Sequence, residues 1–278
     1  MENLSLNLLE QYKTHLGYSF PPVQPTKMAK LRKVKRIFER HIDKPGSLTP
    51  VIGGFYIFLR KSDSKRRKNF SCAHEIGHTF FFDLSHKVPK LNIEIDNAGK
   101  PIIENFCDIF AESLLMPRRH FLLSWQQFEK RFDFATLEKI GWTFQTSIES
   151  TIVRAMRLGA LKNPQRFILL FTDRVSRKTG LHKKLRVKLA IIPHNSPIFV
   201  PSNISAERLG LRKLLTSYKN HDLMEHRTLE TISLKKRASI SKPFKNKNIF
   251  CSATYKLYGE RYVLGLFELK DAKTGEQD

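Results

Sequence analysis

Apolar residues recur along the chain at two periods, which divide it into helical and strand-forming stretches. Leu4, Leu8, Leu9, Tyr12 and Leu16 fall on one face of a helix over 4–16, and Pro21, Pro22 and Pro25 end it. The basic stretch MAKLRKVKRIFERHI reads as a further helix, and Val51–Leu59, rich in aromatic residues, as a strand. KSDSKRRKN then reads as a basic turn. Beyond it Phe70, Ala73, Gly77, Phe80, Phe81 and Leu84 form one stripe at helical period, predicting a helix over 70–84. Asn97–Gly99 predicts a turn, and Pro101 suits a first helical position. Ile103, Phe106, Cys107, Phe110 and Leu114 continue as a helix face that Pro117 stops.

Two or three short helical patterns lead on to Leu161, and near Pro164 the period changes. Phe167–Thr172, Leu185–Ile192, Ile198–Pro201, Ile249–Tyr258 and Tyr262–Leu269 read as strands, with one helix near Ala206–Tyr218. The tail DAKTGEQD is expected to fray. The fold class is α+β in three parts. Residues 1–120 form a mainly helical domain with a small sheet, 121–165 a helical middle, and 166–278 a separate α+β domain.

Composition narrows the picture. A hydrophobic fraction of 41% suits a globular chain, and the absence of a long apolar run argues against a membrane-spanning helix. The N-terminus lacks a positive n-region and a small-residue cleavage site, so no secretory signal is expected. Cys72, Cys107 and Cys251 are odd in number and widely spaced, which points to a reducing, cytoplasmic setting. Lys and Arg number 49 against 26 Asp and Glu, a net charge of +23. Such a field attracts nucleic acid, an anionic membrane or an acidic protein surface; a solvated basic surface is the plain alternative.

The chemistry concentrates in AHEIGH at 73–78. Residues four apart on a helix share a face, so His74 and His78 can turn two imidazoles to one ion. Glu75, at the edge of that site, can take a proton from a metal-activated water without being a ligand. A catalytic zinc needs a third protein donor and one open position. Glu104 on the following helix is the best candidate. Asp108, one turn on, is placed to accept a hydrogen bond from a ligand histidine and fix its tautomer.

ENFCDIFAESLLMP at 104–117 resembles the second motif of the ImmA/IrrE family of metallopeptidases. Glu104, Cys107, Asp108, Phe110, Ala111, Leu114, Leu115, Met116 and Pro117 each fall on it. RRKNFSCAHEIGH resembles that family's first motif, and the two together cover about 65–120. The resemblance implies a zincin-like metallopeptidase domain with His74, His78 and Glu104 as ligands, Glu75 as the base and Asp108 behind them. Zinc is the implied ion, although a site of two histidines and a glutamate also accepts manganese or another divalent ion. Two departures touch the cleft. Phe82 stands where the family often has a histidine, and Cys107 replaces a usual alanine.

ATLEKIGWTFQTSIESTIVRAMRLGAL at 135–161 resembles a helix-turn-helix with Ser147 as the cap of its second helix, a pattern many helical hairpins share. The order of modules is similar to that of IrrE-type radiation-response regulators, whose last module is GAF-like; for 166–278 the likeness rests on order and length alone. A docking or stabilising module fits that segment equally. Two functions are implied. One is an endopeptidase that cuts a helix-turn-helix transcriptional repressor in a stress response such as that to DNA damage. The other is a DNA-binding regulator with a structural or sensory metal site, its basic surface contacting DNA. Plainer roles fit some of the remaining residues: His86 and His120 as surface histidines rather than oxyanion donors, and Cys107 as a small buried apolar residue rather than a redox sensor. Lys65, Arg66, Arg67 and Lys68 fit a guide for a polyanion and a solvated basic turn equally.

Overall fold

A computed structural model describes residues 2–16, 21–92, 100–175, 183–196, 198–219, 227–236, 246–258 and 262–269. The predicted Asn97–Gly99 turn and the DAKTGEQD tail lie outside these residues. By packing, the chain divides into two units, one of Met1–Gln127 with Ala135–Arg154 and one of Phe128–Phe134 with Ala155–Asp278. The architecture is α+β, as the periodicities predict.

The first unit opens with α1 (Glu2–Leu16) and the short α2 (Pro25–Met28), followed by a 3-10 turn at Ala29–Arg32. Strands β1 (Val34–Arg40), β2 (Gly46–Val51) and β3 (Gly54–Arg60) make a sheet in the order β1-β3-β2, with β1 parallel and β2 antiparallel to β3. This corrects the helix expected over MAKLRKVKRIFERHI. Lys33 takes a left-handed φ of 56° and ends the helical turn, and Val34, Ile37 and Phe38 then pair with Phe55, Ile57 and Phe58 of β3. The open edge of β3 decides the conformation, since local propensity is weak in a stretch that carries both patterns.

Helix α3 (Lys65–His78) starts five residues before the predicted Phe70. The expected basic turn is its first turn, capped where Ser64 Oγ accepts the Arg67 backbone N–H at 3.3 Å. It ends earlier than predicted, in a 3-10 turn at Thr79–Phe81 and the two-residue β4 (Phe82–Asp83), which pairs with β5 (Lys90–Leu91). Arg32 holds that end, donating at 3.1 Å to both Thr79 Oγ1 and the Thr79 carbonyl. A guanidinium there satisfies orphan carbonyl groups and complements the helix dipole.

Helix α4 (Lys100–Leu115) runs against α3, with Cys107, Phe110, Ala111 and Leu114 fully buried. The two approach closely at Gly77, where a Cβ would lie 3.2 Å from the Phe110 ring and 3.3 Å from Cys107 Cα. Then follow α5 (Arg118–Arg131), α6 (Phe134–Phe144) and α7 (Ile148–Arg157). Ser147 caps α7, its Oγ accepting the Ser150 N–H at 3.1 Å. Of the two arginines on α7, Arg157 is exposed and Arg154 is 2% exposed. Arg154 donates to the Met116 carbonyl at the end of α4 and to Ser113 Oγ, and pairs with Glu2 of α1 at 2.9 Å.

In the second unit β6 (Arg166–Val175), β7 (Lys183–Ile191), β8 (Ile198–Phe199), α8 (Arg212–Lys219), β9 (Arg227–Lys236), β10 (Asn246–Tyr258) and β11 (Tyr262–Leu269) follow in chain order. The strands form an antiparallel sheet in the order β7-β6-β11-β10-β9-β8. Phe167, Leu169, Phe171, Val263 and Phe267 of the sheet share a core with Leu211 and Leu214 at α8. Strand β9 is an addition to the elements expected from the sequence.

Candidate metal centre and its cleft

Helical spacing assembles the centre. His74 and His78 stand one turn apart on α3, and Glu104 and Asp108 one turn apart on α4. His74 Nε2 lies 3.1 Å from His78 Nε2 and 3.1 Å from Glu104 Oε2, and His78 Nε2 is 3.6 Å from Glu104 Oε1. A tetrahedral ion with bonds of about 2.0–2.1 Å separates its donors by about 3.3 Å. The observed separations bracket that value.

The proton inventory points the same way. His74 Nδ1 is 2.9 Å from Asp108 Oδ1 and donates to it. A neutral His74 then turns a bare lone pair at Nε2 toward the Glu104 carboxylate and the second imidazole. Acceptors facing one another repel, and a cation among them, whether a proton on His74 or a metal ion, resolves the conflict. The donor set therefore fits a divalent ion.

Burial tunes these groups. His78 is lowered to about 4, by desolvation first and then by His74, and so remains a neutral imidazole at neutral pH. Burial alone would lower His74; the hydrogen bond to Asp108 and the charges of Glu75, Asp108 and Glu104 outweigh it and raise the group. Glu75 is 7% exposed and its carboxyl is pushed up to about 7, by burial first and then by Glu104, with His74 and Lys44 opposing.

The centre opens on a cleft of about 800 Å3. Glu75, His74, His78, Glu104 and Asp108 all line it. Lys44 and Gly46–Leu48 form one wall, α3 contributes Arg67 and Phe70, and Phe82, Leu91 and Pro101 add an apolar border. Gly46 on β2 lies directly over Glu75, where a Cβ would come within 2.7 Å of Oε1.

Cys107 is a second possible donor, since its Sγ and one nitrogen of each histidine lie within 4.8 Å of one another. The Glu104 carboxylate lies 3.1 and 3.6 Å from the two imidazoles and lines the cleft, whereas Cys107 is fully buried beneath Gly77 with its thiol pushed up by burial. Cys72 is also buried, its thiol raised to about 12 by desolvation and then by Glu75. His86 lies 3.4 Å from Asp83 and His120 is exposed on α5; neither lines the cleft. Sequence reasoning missed Gly46, Lys44 and Arg32, whose roles arise from elements across the fold and leave no local signal.

The segment 25–156 matches the family model of the IrrE N-terminal-like domain, a peptidase family. This part of the chain is therefore similar to the IrrE N-terminal-like domain, whose family model is that of a peptidase. No curated protein matches the chain in sequence. Among solved structures, a Mycobacterium tuberculosis transcriptional regulator shares the fold at a TM-score of 0.50 and 12% identity, over 97% of this chain and 76% of that one. Among the described residues, no helix is long and apolar enough to cross a membrane.

Proposed function

We propose that the chain is a metal-dependent endopeptidase in which His74, His78 and Glu104 hold the ion and Glu75 is the general base. The observation that carries this reading is the convergence of two imidazoles and one carboxylate, their nearest atoms 3.1–3.6 Å apart, beside Glu75 in an open cleft. When bound, a zinc ion, or manganese or another divalent ion in its place, polarises a carbonyl and lowers the pKa of water to about 7. Asp108 fixes the tautomer of His74 and leaves Nε2 free to ligate. Glu75, with a carboxyl near 7, accepts a proton from the attacking water and passes it to the leaving amine. Among the described residues β2 is an edge strand of its sheet, which suits an extended peptide laid alongside as an added strand.

The substrate on this reading is a regulatory protein, a helix-turn-helix repressor, cut in the cytoplasm during a stress response such as that to DNA damage. Residues 1–120 are the peptidase module, 121–165 the helix-turn-helix-like middle, and 166–278 a GAF-like sensor module. The second reading, a DNA-binding regulator that keeps the metal for folding or sensing, is favoured by the net charge of +23 and by the regulator title of the structural neighbour. Arg154 is internal, so contact with DNA through α7 would fall to Arg157 and its exposed neighbours.

Metal content of purified wild type, His74→Ala, Glu104→Ala and Glu75→Gln, each incubated with a candidate repressor, tests the proposal. The ligand variants should lose metal, while Glu75→Gln keeps it and stops cleaving. Normal metal content in Glu104→Ala would remove the third ligand. DNA binding that is steeply salt-dependent and survives Glu75→Gln, with no cleavage, would favour the regulator.

A further inference from the structure

We infer that the cleft selects an acidic segment of its protein substrate, through Lys44 and Arg67 on the rim beside the metal centre. The inference rests on the peptidase reading and gives its substrate a chemistry. The cleft is asymmetric: Phe82, Leu91 and Pro101 border it with apolar surface, whereas among the described residues Lys44 and Arg67 are the cationic side chains that line it apart from the histidines. Arg67, Ser71, His74 and His78 fall on one stripe of α3. Arg67 is two turns from His74, about 10 Å along the axis, or about three residues of an extended peptide. Lys44 lies two residues before Gly46, which covers Glu75. Both cations are therefore near the bond to be cut.

Neither is held in an ion pair, although Arg67 lies over the Phe70 ring at 5.9 Å and the Lys44 charge is felt at Glu75. Lys68 is paired with Glu39 at 2.7 Å, Arg60 lies 3.9 Å from Asp63, and the Arg66 guanidinium is stacked on Trp142 at 3.9 Å. Among the described residues Lys44 and Arg67 have no carboxylate in ion-pair reach, and both are exposed.

Position 67 carries an independent signal. It is the third helical residue after the Ser64 cap, where a glutamate would complete a capping box and suit the positive end of the helix dipole. Arginine there opposes both preferences. Local rules broken without a local gain mark residues retained for another purpose. Here the purpose is a positive charge facing the cleft.

Two random-sequence peptide pools of equal length provide the test, one enriched in Asp and Glu, the other in Asn and Gln. Binding of each to the zinc-loaded full chain carrying Glu75→Gln is read by fluorescence anisotropy, and cleavage by wild type is read in parallel. The acidic pool should bind tighter by on the order of five- to tenfold at low salt. Lys44→Gln with Arg67→Gln should abolish the preference and Lys44→Glu with Arg67→Glu should invert it, with zinc content unchanged. Glutamate at position 67 completes the capping box, so loss of the fold does not confuse the result. The same charge reversal at Lys35 and Arg36, outside the cleft, should leave the preference in place.

A preference unaltered by the Lys44 and Arg67 changes overturns the inference even if cleavage is robust. Tighter binding of a single-stranded oligonucleotide than of the acidic pool, removed by the same two changes, overturns it in favour of a nucleic acid. A preference lost through Lys44 and Arg67 in a protein that cuts nothing supports the acidic cleft and removes the hydrolytic reading.

Discussion

Replacing Glu75 by glutamine in the metal-free protein should stabilise the first unit, increasingly so as the pH rises. Glu75 is 7% exposed, and its carboxyl is raised from 4.5 to about 7, chiefly by burial. The folded state therefore holds the Glu75 proton more tightly than the unfolded chain. Below the unfolded pKa both states are protonated and Glu75 adds no penalty. Between the two values the folded state must either keep a proton that solution withdraws or bury a charge, and stability falls. Above about pH 7 the loss is complete. At 1.36 kcal/mol per unit the shift amounts to about 3 kcal/mol. Glutamine has the same shape and cannot ionise, so the variant should match wild type at about pH 4 and below and exceed it by about 3 kcal/mol at about pH 8. The assay is urea unfolding of chelator-stripped protein followed by tryptophan fluorescence. Both tryptophans, Trp125 and Trp142, lie in the first unit, so the signal reports on that unit alone. A difference that is independent of pH, or largest at low pH, would refute the buried-carboxyl argument.

Three further outcomes are expected. Asp108→Asn should weaken zinc binding by about 10- to 100-fold, since the partner that fixes the His74 tautomer is lost; competition with a chromophoric chelator measures it. Gly46→Ala should keep its metal yet cleave up to about a hundredfold more slowly, because the new methyl displaces the Glu75 carboxylate; zinc content and peptide turnover separate the two effects. Arg154→Ala should cost about 2–3 kcal/mol in the same fluorescence-detected unfolding, leaving the Met116 carbonyl and Ser113 hydroxyl without their buried partner.

The metal centre was legible because helical spacing converts sequence intervals into directions. His74 and His78 at four apart, and Glu104 and Asp108 at four apart, need only two packed helices to meet. The small Gly77 that lets those helices approach lay inside the same motif. Strand β1 was hidden because the residues around Lys35 to Glu39 fit either period until β3, some twenty residues on, supplies an edge. Strand β9 pairs with β10 in the same way, and that pairing has no trace within its own sequence. Gly46 is the sharpest case. A glycine in a strand says only that something comes close, and Glu75 across the fold says what.

The position of Gly46 has one more consequence. The strand that walls the cleft also covers Glu75, so the backbone a ligand would line is the backbone that shields the base from water. A ligand that left the carboxyl wet would make it a weaker base, and one that sealed it against water would make it more avid for protons. Fit along β2 and proton affinity at Glu75 are thereby tied to the same few residues.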